Sequence, residues 1–159
     1  MPKPVKTNAM RKLETAKIAY DTLSYPVEDD HFDGVLVARK IGLDPAQVFK
    51  TLVTKGEKKG FLVFCIPVDR ELDLKAAAQA AGDKRVEMLP MKDLLPTTGY
   101  VRGGCSPVGM KKLFPTCLDE SCLSFDRIAV SAGVRGTQML LDPRDLIKLI
   151  GAQTGKVSR

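Results

Sequence analysis

The chain has one histidine, His31, in 159 residues. A Ser-His-Asp hydrolase needs a histidine base, and here only His31 could serve. Asp29, Asp30 and Asp33 stand around it, yet no Gly-x-Ser-x-Gly elbow exists to present a serine. Cysteine is nearly as sparse: Cys65, Cys105, Cys117 and Cys122, with no CxxC pair among them. A zinc site would need closer, repeated spacing, so no metal is expected. Phosphate-cradling and dinucleotide fingerprints are missing too, because Gly103-Gly104 does not open a helix in the required pattern, and no cofactor is expected. No apolar run reaches membrane-spanning length. The opening Met1-Pro2-Lys3-Pro4-Val5-Lys6 leads into no apolar stretch of the signal-peptide kind. A reduced, cytoplasmic protein is the expectation. Repeats, low-complexity segments and linkers are also lacking.

What is present suits one globular domain over residues 1–159, with 44% hydrophobic and 28% charged residues. Lysine and arginine number 25 against 19 acidic residues, a net charge of +6. That balance suits a polyanionic partner such as RNA, although no basic tail is present.

Thr7 or Asn8 can cap a first helix running to about Tyr20, and Leu23–Val27 reads as a short strand. Asp33 caps a helix from Gly34 to Ile41, stopped by Gly42. Asp44-Pro45 opens a short helix that passes at once into the strand Thr51–Val53, closed by Lys55-Gly56. Phe61–Val68 is almost wholly apolar, as in a central strand covered on both faces. Asp73 caps an alanine-rich helix, Leu74 to Ala81, ended by Gly82. Val86–Leu89 reads as a strand and Pro90–Leu95 as a helical turn ended by Pro96. Strands at Leu113–Leu118, Arg127–Val130 and Gln138–Leu141 follow. Asp142-Pro143 then caps a last helix, Arg144 to Ile150, and residues 152–159 read as a frayed polar tail. Interspersed strands and helices give an α/β or α+β class around one mixed sheet.

Lys50 sits at the seam between the short helix and its strand. By position alone a solvated lysine is the better reading, with an anion-facing lysine the alternative. Gly103-Gly104-Cys105-Ser106-Pro107 and Ser131-Ala132-Gly133 are open turns. Their amides could face a carbonyl oxygen, or they could be ordinary tight turns. Cys105 with His31 as base is a weaker nucleophile candidate.

Gln47-Val48-Phe49-Lys50-Thr51-Leu52 resembles the QVxKTL segment of the YbaK family of aminoacyl-tRNA deacylases. Leu72–Lys75, Lys84–Met88, Thr98-Gly99-Tyr100, Gly103–Gly109 and Ser131–Gly136 follow in family order, so the likeness runs from about Ala9 to Ile150. It implies a curled, barrel-like sheet with helices outside. It implies hydrolysis of the ester joining an amino acid to the terminal adenosine of tRNA, foremost cysteine on tRNA(Pro). In the cysteine-specific members the substrate's own thiol attacks the carbonyl, which explains a deacylase without a triad. The resemblance places Lys50, Gly103 and Gly104 at the reacting ester, with Thr51 beside the lysine. It makes Tyr25 and Phe32 aromatics of the pocket. The loop differs in length by one residue, so His31 or Asp33 could take the place of Phe32. Ser106-Pro107 matches a rigid corner and Ser131 a polar residue of the opposite rim. Gln138 stands where the bacterial cysteine-specific type has an acid. Gln accepts a hydrogen bond from an α-ammonium but cannot pair with it as a charge, which leaves alanine or another small aminoacyl group open. A binding module without activity is the competing class. Prolyl-tRNA synthetase is the expected source of tRNA selection, since the chain is too small to read stem and anticodon together.

Overall fold

The computed structural model describes residues 6–27 and 33–159. Its helices begin where short polar side chains can occupy orphan amides. Thr7 accepts from Met10 N–H at 3.2 Å and opens α1 (Asn8–Thr15). Asp33 accepts from Val35 and Leu36 N–H and opens α2 (Gly34–Lys40). Asp44 opens a three-residue 3-10 turn, Pro45–Gln47. Asp73 opens α3 (Leu74–Ala81), and Asp142 opens α5 (Pro143–Ile150). Between these last two lies α4 (Met91–Thr98).

Two of these helices end elsewhere than the sequence suggests. α1 does not reach Tyr20. It stops in a Schellman motif, with Ile18 N–H on Leu13 C=O and Lys17 N–H on Glu14 C=O. Lys17 takes the left-handed position, at φ 59°, that glycine normally fills. The chain then enters β1 (Tyr20–Ser24), three residues earlier than the expected strand. α4 runs through Pro96, because a short helix loses only one internal donor there. It ends two residues later, where Thr98 donates to Leu94 C=O at 2.8 Å and Gly99 turns left-handed.

The remaining strands are β2 (Phe49–Gly56), β3 (Gly60–Pro67), β4 (Val86–Met88), β5 (Thr116–Asp119), β6 (Ile128–Ser131), β7 (Thr137–Leu141) and β8 (Gln153–Gly155). They form a mixed sheet in the order β4-β2-β3-β5-β8 and an antiparallel sheet in the order β1-β7-β6. The single sheet expected from sequence is therefore divided, and one parallel bridge, Val48 to Ala129, joins the halves. β3 is the apolar centre, antiparallel to β2 and parallel to β5. Leu13, Ile128, Val130, Met139, Leu141 and Leu146 pack one core between α1, α5 and the smaller sheet. Phe64, Ile66, Ala77 and Ala78 pack another under α3, whose alanines let it lie close to the sheet.

The tail is not frayed. β8 pairs with β5, and Val157 is fully buried. Asp119 accepts from Val157 N–H, Ser158 N–H and Ser158 Oγ at 3.0 to 3.1 Å. Arg159 and Glu71 exchange two main-chain hydrogen bonds. Polar composition suggested a loose end, but a buried carboxylate remote in sequence holds it.

Candidate active site

β2 forks. At its far end Thr54, Lys55 and Gly56 pair with β4, and at its near end Val48 bridges β6. Between these two partners one edge of β2 is left without a strand. Val53 C=O accepts from Leu89 N–H on that edge, whereas Val48 C=O accepts from Val68 N–H on the β3 side. Strand peptide groups alternate in direction, so Thr51 presents its own into the fork.

A cavity of about 550 Å³ occupies this opening. Lys50, Thr51, Gly103, Ser131 and Gln138, all named from sequence, line it together. β2 carries the first two, the loop after α4 brings Gly103, and β6 and β7 bring Ser131 and Gln138 as direct cross-strand partners. Asp33, Met88, Met91, Leu94, Arg102 and Cys105 complete much of the wall.

Lys50 is half-buried, and its ammonium makes no hydrogen bond or ion pair among the described residues. Burial pushes its pKa below the ordinary lysine value. Glu71 and Asp69 act against that shift, and Arg102 adds to it. Thr51 Oγ1 lies 3.7 Å from Cys65 Sγ. Gln138 is 4% exposed and its Oε1 has no hydrogen-bond partner. A buried acceptor left unpaired is costly, and this one sits in the wall of a cavity. Ser131 is buried and accepts from Gly133 N–H at 3.2 Å.

Three expectations need correction. Gly104 does not offer its amide to the cavity: the N–H closes a turn on Val101 C=O at 3.0 Å. Gly104 is instead needed for close approach, since an added Cβ would lie 3.2 Å from the main chain of Val134 and Arg135. The two glycine turns thus abut as one wall and do not face each other across the opening. Gly103, at φ +84°, and Cys105 are the cavity-lining residues of this loop, and neither amide has a main-chain acceptor among the described residues. Ser106 is fully buried with its hydroxyl on Val108 N–H, and it lies outside the cavity wall. Tyr25 also lies outside that wall. Its hydroxyl is buried without a partner, and its N–H is held by Gly136 C=O. His31 and Phe32 lie outside the described residues.

Cys105 reaches the cavity, but burial pushes its thiol up to about 12, so it is no thiolate at neutral pH. Sequence reasoning missed Arg102. Its one signal was a cation directly before the glycine pair.

The model of the aminoacyl-tRNA editing domain family matches residues 35–149, and the chain belongs to that family. It is an editing enzyme whose reaction is cleavage of an aminoacyl ester. A relative from Enterococcus faecalis, EbsC, is 48% identical over 153 residues, which span 96% of this chain and 93% of the relative. EbsC is named as a candidate Cys-tRNA(Pro)/Cys-tRNA(Cys) deacylase. A crystal structure described as a candidate trans-editing enzyme for prolyl-tRNA synthetase superposes with a TM-score of 0.84 at 25% identity, covering 100% of this chain and 99% of that one. The crystal structure of the hypothetical protein APE2540 shares the fold, with a TM-score of 0.87 at 21% identity over 96% of this chain and all of that one.

Proposed function

We propose that the chain is a deacylase that clears cysteine mischarged on tRNA(Pro), with Cys-tRNA(Cys) as a second substrate. One observation carries the reading: Lys50 and Gly103 line the same cavity, while Cys105, the cysteine among its described lining residues, is held as a thiol. An ester of this kind is activated already, so positioning and charge stabilisation suffice.

The cysteinyl thiol has an ordinary pKa of about 8.5, and a minority is thiolate at neutral pH. Its sulfur attacks its own carbonyl carbon, and a C–S bond forms. The carbonyl oxygen becomes an oxyanion, which the Lys50 ammonium and the amides of Gly103 and Cys105 would stabilise. The bond to the ribose oxygen then breaks. That oxygen takes up the proton lost by the thiol, and a cyclic thiolactone leaves. Gln138 Oε1 accepts a hydrogen bond from the α-ammonium, which satisfies its buried lone pairs. Prolyl-tRNA synthetase in the cytoplasm supplies the charged tRNA and its selection.

The same unpartnered amide favours a second reading. A neutral acceptor grips an α-ammonium less tightly than a carboxylate does, so alanine on tRNA(Pro) is the competing substrate. Release of amino acid from Cys-, Ser- and Ala-tRNA(Pro) separates the two. The thiol route requires serine, a weaker nucleophile, to leave at least tenfold more slowly than cysteine. Equal rates for cysteine and serine would overturn that route and leave deacylation standing. No release from any charged tRNA would make the chain a binding module.

A further inference from the structure

The cavity has two cations, and they differ in setting. Lys50 is half-buried, and the carboxylates of Glu71 and Asp69 act on it from the loop after β3. Arg102 is exposed in the cavity wall and opposes its charge. The main chain of Arg102 is fixed twice: Gly104 N–H closes the turn on Val101, and Arg135 Nε donates to Arg102 C=O at 2.7 Å. The Arg102 guanidinium itself has no carboxylate or carbonyl partner among the described residues. Arg85, Arg127 and Arg144 are each paired with an acid; Arg39 and Arg70, like Arg102, have no acid partner among the described residues, and of these three Arg102 lines the cavity. Asp33, an acid in the cavity wall, accepts through one carboxylate oxygen, Oδ1, from the amides that open α2.

A ligand carrying an aminoacyl ester at one end and phosphodiesters at the other must keep its phosphates near water. Their negative charge disfavours the side guarded by Asp69 and Glu71. A solvent-facing guanidinium carried on a fixed main chain offers planar paired donors that match two phosphate oxygens.

We infer that Arg102 grips the phosphodiester joining the last two nucleotides of the tRNA, which leaves Lys50 to the acyl linkage inside. This rests on the function proposed above and adds a division of labour between the two cations. Arg102 is a binding residue in this scheme and sets the register of the ester against Gly103.

The test uses the full chain and a short RNA ending in CCA, so that binding is read apart from turnover. Arg102→Ala should weaken binding roughly tenfold. It should also lower the slope of log affinity against log salt by about one. Arg102→Lys should restore the slope while recovering only part of the affinity, since a point charge replaces the fork. An RNA in which a neutral methylphosphonate replaces the final internucleotide phosphate completes the cycle. That change should weaken binding to the wild type about as much as Arg102→Ala does, and should add no loss to Arg102→Ala. An unchanged salt slope in Arg102→Ala, or additive losses in the cycle, would overturn the assignment. Normal coupling in the cycle with no release from Cys-tRNA(Pro) would instead refute the catalytic reading and keep Arg102 as a phosphate contact.

Discussion

The two ends of β2 treat polar groups in opposite ways. At the far end the buried ones have partners. Thr54 Oγ1 donates to Leu62 C=O at 2.9 Å. Asp83 accepts from the amides of Lys58, Lys59 and Lys84, the shortest at 2.6 Å. Burial alone would raise the Asp83 pKa, but these amides hold it below the ordinary aspartate value. Gly56 is there because no side chain fits: an added Cβ would stand 2.1 Å from Asp83 Oδ2. At the near end, among the described residues, the Lys50 ammonium has no hydrogen-bond partner, Gln138 Oε1 is buried and unpaired, and the fork leaves one strand edge open. One strand therefore carries a satisfied end that stabilises the fold and an unsatisfied end that opens on the candidate site. The difference is chemical: desolvated polar groups without partners cost free energy, and a site is where that cost persists.

Substitutions at the two ends should then separate activity from stability. The largest effect belongs to Lys50→Ala. Loss of the only cation assigned to the oxyanion should lower kcat on Cys-tRNA(Pro) by a factor on the order of a thousand. The folded state disfavours the charged Lys50, as its lowered pKa records, so Tm should hold or rise slightly. A thermal melt showing marked destabilisation would place Lys50 with the structural end. Next comes Gly56→Ala, which should cost about 1 to 3 kcal/mol by denaturant titration, because the Asp83 carboxylate is pinned by amides and cannot move aside. Its kcat, measured well below Tm, should match the wild type. The smallest effect is that of Gln138→Ala. Michaelis kinetics should show KM raised roughly tenfold, with stability changed by less than about 1 kcal/mol, since the lost Oε1 had no partner to lose. A large loss of stability with KM unchanged would make Gln138 a structural residue.

Much of the site was legible because its residues cluster in short motifs. Lys50-Thr51 begins three residues beyond a capped turn, and Gly103 follows a helix end. Gly104 misled because a glycine in an open turn looks the same whether its amide is free or closes that turn. Ser106 misled likewise, its hydroxyl being taken by the Val108 amide two residues on. Arg102 escaped because an exposed arginine in a basic chain gives no signal until the fold sets it in the cavity wall. The end of α1 escaped because Lys17 occupies a left-handed position with no glycine to mark it.

The amino-acid sequence by itself determined what depends on neighbours a few residues apart. Aspartates cap α2, α3 and α5, and the apolar run of β3 takes the centre of its sheet. Tertiary structure alone decided the fork in β2, the seating of the tail on Asp119 and the meeting of Lys50 with Gly103, Ser131 and Gln138. Those outcomes join residues tens of positions apart. The free energy that selects them comes from burying apolar faces and pairing remote polar groups, and no local window of sequence contains either.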